Sequence, residues 1–382
     1  MPRYPNSTAS VRAMPGSVYS SLARKLATHE GTVFPLHVGD TWMEPAAGCR
    51  MEDLTEAEYP GLHRYAEPQG RADLLSAIAT RTEERTGVAT GVHEVLVAAG
   101  ATGALGAVAG AIAEPGDEVL LLAPYWPLIS GIFRAFGAQP VAVPFFDRAD
   151  STQSALDLVE ALRTDRTVAL YLNTPNNPSG VVAPSEWLAA LAQWCRQHDL
   201  WLISDEVYED YVYEGEHTYC RPLAPERTFS SYSFSKAYGM AGNRCGYVVG
   251  PESLMGELRK VSTHTFYATP TAAQIAGLKA LELGAGWIAR AREKYIELGT
   301  HAAQRLGLDP PGGSTFLFLD VADHLDDRGL GGFLEDCADR GLFLAPGPSF
   351  GPYPTHVRVC FTCAEPTIVR AGVEVLAGMI GR

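Results

Sequence analysis

Apolar positions along this chain fall into two alternating spacings. Short, almost unbroken apolar runs lie at 94–99, 119–123, 140–143, 168–172 and 200–204. Their length and the turn residues bounding them predict strands buried on both faces. Between them, apolar residues recur three and four apart at 72–85, 104–113, 129–136 and 155–163, and again behind Ser185, where Leu188, Leu191 and Cys195 share an inner face. That spacing predicts helices. An alternating run at 229–233 and an apolar run at 246–250 close the series. Strand and helix alternating over about 94–250 predict a three-layer α/β domain, a mainly parallel sheet with helices on both faces.

The pattern then changes. It is helical from 271 to about 306; 315–320 reads as a strand, 330–340 as a helix, 357–361 as a strand, and a last helix runs from 367. This half predicts a smaller α+β domain, and a helical stretch at 18–29 is expected to pack on it. The expected division is an N-terminal segment over 1–45, a large domain over 46–275 and a small C-terminal domain over 276–382.

Polar residues with chemistry to offer stand at the carboxyl ends of the strands, where open α/β sheets gather ligands. Gly100-Ala101-Thr102 follows the first run and opens a helix, so unpaired N–H groups and the helix dipole face an anion there. Trp126 follows the second, where an indole can stack on a flat ring. A turn from Asn173 through Asn177 to Gly180 follows the fourth, and Asp205 with Tyr208 follows the fifth. Taken singly, each has a plain reading as a turn or a packed core residue. Ser233-Phe234-Ser235-Lys236 then sets one lysine between small hydroxyl residues, with Arg244 eight residues on. An amine nucleophile needs room, a lowered pKa and nearby cationic or buried surroundings. Hydroxyls and a guanidinium suit a phosphate. A lysine beside a phosphate site suggests a covalent link to pyridoxal 5'-phosphate (PLP). That cofactor also asks for a carboxylate at its pyridine nitrogen, which Asp205 can provide, and an α-amino acid asks for a cation, which Arg358 on a late apolar strand can provide.

Composition narrows the classes further. The chain has 382 residues, 46% hydrophobic and 19% charged, with net charge -14. No basic excess is available to neutralise nucleic-acid phosphates. No run reaches the length of a membrane span, and 1–10 has no apolar core of signal-peptide type. Seven scattered cysteines argue against a disulfide scaffold and for a reducing cytoplasm. Cys360-Phe361-Thr362-Cys363 has no second pair, so no metal site is expected.

In combination these motifs resemble the class I/II aminotransferases, the fold-type-I PLP enzymes, from about Phe34 to the last helix. The residues that carry the resemblance are Tyr65-x-x-Pro-x-Gly, the Asn-rich turn ending at Gly180, Asp205-x-x-Tyr208, Ser233-x-Ser-Lys236 with Arg244, and Arg358. The resemblance implies Lys236 as the Schiff-base lysine and proton carrier, Asp205 at the pyridinium, and Tyr208 with Asn177 at the phenolic oxygen. It implies Gly100, Ala101, Thr102, Ser233 and Arg244 at the phosphate, and Trp126 on the ring. Gly39, Asn177 and Arg358 would hold the substrate carboxylate, and Tyr65 would reach the phosphate of a neighbouring subunit in a homodimer. Ala101 has only its backbone N–H to give, which leaves Thr102 as the hydroxyl donor of that turn. Transamination between an α-amino acid and a 2-keto acid is the expected reaction; another PLP chemistry on the same scaffold, or a PLP-binding sensor, stays open. His37, His63, Tyr19, Tyr125, Tyr267, Arg12, Arg50 and Arg64 are unranked candidates for the substrate pocket.

Overall fold

The computed structural model describes residues 6–14, 16 and 23–382. Two short helices come first, α1 (Ala9–Ala13) and α2 (Ala23–Thr28); of the expected helix at 18–29, residues 18–22 lie outside the described residues, Tyr19 with them. Next is α3 (Ala72–Thr86), which buries Leu74, Leu75, Ile78 and Ala79 at helical spacing and stops at Gly87, φ 69°.

Strands and helices then alternate: β1 (Val95–Ala98), α4 (Gly100–Ile112), β2 (Glu118–Ala123), α5 (Leu128–Ala135), β3 (Gln139–Pro144), α6 (Thr152–Glu160), β4 (Thr167–Asn173), α7 (Ser185–Gln197) and β5 (Trp201–Asp205). The sheet is completed by β6 (Thr228–Ser233) and, after the four-residue α8 (Phe234–Ala237), by β7 (Gly246–Val249). The seven strands lie in the order β1-β7-β6-β5-β4-β2-β3. β3, β2, β4, β5 and β6 pair in parallel, whereas β7 runs antiparallel to both β6 and β1. A helix of four residues and a turn do not carry the chain back across the sheet, so β7 simply returns. Successive side chains serve opposite faces. Val119, Leu121, Ala169, Tyr171, Ile203 and Phe229 pack beneath α4 and α5, while Leu120, Leu122, Leu170, Leu172 and Leu202 pack beneath α6 and α7.

After the sheet come α9 (Glu252–Thr265), α10 (Thr271–Leu283) and α11 (Ala285–Leu306); the helical region expected at 271–306 is two helices that meet at Gly284. A three-stranded antiparallel sheet, β8-β10-β9, is made by β8 (Phe316–Asp320), β9 (Ala345–Pro346) and β10 (His356–Cys360), with α12 (Gly329–Asp339) and α13 (Pro366–Met379) around it. Buried residues of α11, such as Trp287 and Tyr295, share a core with this sheet. Those of α10, Ala273, Ala276 and Ala280, share one with α3 and β7 instead. We propose on this packing that the two domains divide at Gly284 rather than within α10 near 275. Phe34 bridges Leu342, and Leu36 accepts the backbone N–H of Cys360 at 2.7 Å, so this part of the chain lies against the end of β10 and the segment before β9. α1 lies against α5.

Candidate active site

β4 and β5 are neighbours in parallel register, with Asn173 opposite Asp205, so both end at one level of the sheet's carboxyl edge. There Asp205 is 3% exposed. Its Oδ2 accepts the Tyr171 hydroxyl at 2.7 Å, and its backbone carbonyl accepts Asn173 Nδ2 at 2.8 Å. Its Oδ1 is buried without a hydrogen-bond partner. Burial pushes this carboxyl up to about 6, against the Tyr171 hydroxyl, the Val207 N–H and the charge of Lys236, which favour the ionised form. A buried acceptor with nothing donating to it is costly, and in a native protein it calls for a missing group.

Lys236 lies on α8, which leaves the end of β6 capped by Ser233, whose hydroxyl accepts the Ser235 N–H at 3.1 Å. The Lys236 amine donates to the Gly39 carbonyl. Burial holds this amine below the usual lysine range; Asp40 and Cys360 oppose the shift, while Arg358 and Arg244 add to it. An amine so placed gives up its proton more readily than a surface lysine.

The anion cradle forms where α4 begins. No side chain caps α4, so the N–H groups of its first turn are left to a ligand. Gly100 has φ 71°, and a Cβ there would stand 2.6 Å from Arg244 Nη2. Arg244, itself at φ 53°, donates to the carbonyls of Ala241 at 2.9 Å and Ala99 at 3.4 Å, which folds its guanidinium against the turn. Gly246 closes the other side: a Cβ there would lie 2.6 Å from the Ala101 nitrogen.

Arg358 extends from β10 and is 4% exposed. Its Nη1 donates to Asn177 Oδ1 at 3.0 Å and its Nη2 to the His37 carbonyl at 2.7 Å. The guanidinium lies 4.3 Å from the Phe316 ring centre and 5.0 Å from that of Phe350. His37 thus meets Arg358 through its backbone, and burial first, then Arg358, lowers its imidazole to about 4.

Gly39, Ala101, Thr102, Trp126, Asn177, Asp205, Tyr208, Ser233, Lys236, Arg244 and Arg358 together line one cavity of about 310 Å³, and Gly100 forms the turn beneath it. Tyr65 is elsewhere: it is 90% exposed, edge-on to Tyr267 at 5.1 Å, beside a separate surface hollow that includes Arg64. Tyr125, Tyr267, His63, Arg12, Arg50 and Arg64 are absent from the lining of the main cavity. Cys360 and Cys363 are both free thiols, the second donating to the carbonyl of the first at 3.3 Å. Among the described residues no cluster of three or more His, Cys, Asp or Glu side chains is placed to hold a metal. Three neighbours of the site escape a reading by motif, Tyr171, Phe316 and Phe350, and Asn173 is read only as the start of the Asn-rich turn. Asn173 and Tyr171 sit two apart on β4, so the period of a strand could have flagged them once Asp205 was placed next door.

These residues fit PLP. The bare Asp205 oxygen suits a protonated ring nitrogen, the Lys236 amine an aldehyde, the opening turn of α4 with Arg244 a phosphate, and Trp126 the flat ring.

The family model for aminotransferase class I and II matches residues 40–376. A probable aspartate/prephenate aminotransferase of Thermus aquaticus is 35% identical over 323 residues, 81% of this chain and 82% of that protein. An arginine–pyruvate transaminase of Pseudomonas aeruginosa is 35% identical over 353 residues, 89% of this chain and 88% of that protein. Among solved structures, an aspartate aminotransferase mutant from Thermus thermophilus superposes with a TM-score of 0.88 at 29% identity, covering 98% of this chain and 99% of that one.

Proposed function

The chain belongs to the class I and II aminotransferases, and from that membership we propose a division of labour among the residues of its cavity. The protein is a PLP-dependent aminotransferase that moves amino groups between α-amino acids and 2-keto acids. When bound, PLP supplies an electrophilic carbon for the substrate amine and a ring that accepts negative charge from the substrate's Cα.

Lys236 would hold PLP through its amine between turnovers. With its amine free, Lys236 would take the proton from the substrate's Cα and return it. Its lowered proton affinity supports that role, since the free amine is the form that accepts. Asp205 would keep the ring nitrogen protonated through Oδ1. Tyr208 donates to the phenolic oxygen; burial holds its phenol above the usual tyrosine range, so the hydroxyl keeps its proton. Asn177 spends its Oδ1 on Arg358, which leaves its amide N–H groups for the same oxygen. The first turn of α4, Thr102, Ser233 and Arg244 bind the phosphate. Arg358, its plane set by Asn177, the His37 carbonyl and two flanking rings, presents its fork to the substrate carboxylate and so aligns the Cα–H bond. Tyr65, exposed and outside the lining of its own cavity, would reach the phosphate of a second copy, which would make the working unit a homodimer. The free cysteines support a cytoplasmic location.

The observation that carries this reading is the bare, buried Asp205 Oδ1 in the same cavity as Lys236 and the uncapped start of α4. The test is to load the protein with PLP, reduce with borohydride and map the adduct, then to offer amino acids including aspartate and arginine, for which relatives are named. A pyridoxyl group on Lys236 and keto-acid formation are expected. An adduct on another lysine would sink the assignment.

A further inference from the structure

The cofactor roles above leave Tyr171 unused, although it is fully buried and in direct contact with the group that would govern the ring nitrogen. It stands two residues before Asn173 on β4, with its side chain on the face beneath α4 and α5, and its hydroxyl donates to Asp205 Oδ2 at 2.7 Å. Nothing in the packing requires a phenol there; phenylalanine would fill the same apolar space without the hydroxyl.

We propose that Tyr171 is a positioning residue for the cofactor, which occupies Asp205 Oδ2 so that Oδ1 alone is turned to the ring nitrogen. A carboxylate has two equivalent oxygens and can rotate between them. One short hydrogen bond to a fixed, buried donor removes that freedom. It also sets where a proton goes: with Oδ2 already accepting, a proton shared between Asp205 and the ring must lie along the Oδ1 line. Burial holds Tyr171 well above the usual tyrosine range, so its hydroxyl stays a donor at every working pH.

Of the groups that act on Asp205, Tyr171 comes from β4, Lys236 from α8, and Glu206, the Val207 N–H and Tyr208 from its own turn. Tyr171 and the Val207 N–H favour the carboxylate, as does Lys236, while burial and Glu206 oppose it. Lys236 is committed to the cofactor aldehyde once the site is loaded, so Tyr171 is the side-chain donor that persists. Removing its hydroxyl raises the proton affinity of Asp205, and a protonated Asp205 no longer holds a pyridinium. The loss therefore grows as pH falls.

This inference rests on the assignment of Asp205 to the ring nitrogen, and the experiment separates the two. Apoenzymes of the parent, Tyr171→Phe and Asp205→Asn are titrated with PLP and with a carbocyclic analogue whose ring nitrogen is replaced by CH, at pH 6 and pH 8. Melting of each apoenzyme confirms folding. For Tyr171→Phe, the Kd for PLP should rise about tenfold or more at pH 6 and less at pH 8, while the Kd for the analogue stays within about twofold. A purely structural role would weaken both ligands alike, and that result, or no change in either, overturns the proposal. Asp205→Asn should erase the parent's preference for PLP over the analogue. If the preference survives in Asp205→Asn, the assignment of Asp205 fails; if it is erased there but intact in Tyr171→Phe, only the role of Tyr171 fails.

Discussion

The end of β5 and the turn after it carry acids whose side chains are buried but whose partners differ. Glu209 and Asp210 are gripped by two arginines of α3: Arg81 at 3.2 and 3.1 Å, Arg85 at 2.9 and 2.7 Å. The Tyr219 hydroxyl adds a further bond to Glu209 at 2.8 Å. Four residues before Glu209, Asp205 is at least as deeply buried, yet it has no cation bonded to it and one bare oxygen. Residue type and burial are shared; the pairing differs. Where each carboxylate oxygen is met by an arginine, the acid joins two elements of the fold, and where one oxygen is left open beside an amine and an uncapped helix, the acid is available to a ligand. Glu206, between them, takes a third course, satisfied by the Tyr232 hydroxyl at 2.9 Å and the Cys220 N–H at 3.1 Å.

The comparison breaks most visibly at Lys236. Lys236→Ala should fold as the parent does and lose turnover by on the order of 10⁴-fold, read as the first-order rate of keto-acid formation. Loss of less than about tenfold would remove the lysine from the chemistry. The paired region predicts the opposite signature. Arg81→Ala leaves Glu209 and Asp210 with half their cationic partners in a largely buried cluster, so it should cost about 3 kcal/mol of unfolding free energy in denaturant titrations. The PLP affinity of the folded fraction should shift only a few-fold.

The sequence pattern made much of this visible, and its limits were physical. Strands at 119–123, 168–172 and 200–204 stand out because both faces of each are buried, and Asp205 and Lys236 stand out as polar residues where such runs end. β7 looks like its neighbours in composition, and only the shortness of α8 turns it antiparallel. α10 and α11 share one helical period, so the division of their buried residues between two cores is a tertiary fact. Tyr171 is hidden as one aromatic residue in a strand, and Phe316 and Phe350 reach Arg358 from segments distant in the chain.

Smaller effects sharpen the contrast. Arg358→Lys keeps the charge but loses the planar fork held between two rings, so kcat/KM for amino and keto acids should fall at least about tenfold, with PLP affinity little changed. Retained turnover, or release of the cofactor, would move the carboxylate anchor elsewhere. Tyr65→Phe should weaken PLP binding by a few-fold at most, as expected for one hydroxyl at a phosphate, and only in the dimer. An active species that sediments as a monomer would contradict the shared site.

The most direct test of the central distinction, an acid left open for a cofactor against acids closed by arginine, is the pH dependence of PLP binding to the apoenzyme. Burial raises the Asp205 carboxyl to about 6 in the folded protein, so it is protonated below that pH and ionised above it. Ionisation is what a pyridinium requires. PLP affinity of the parent should therefore rise as pH climbs through about 6, relative to Asp205→Asn titrated in parallel, whose affinity should be lower and lack that rise; the pH dependence of the phosphate and of Lys236 is common to both. Parallel curves for the two proteins would contradict the account, because Asp205 would then have no part in holding the ring.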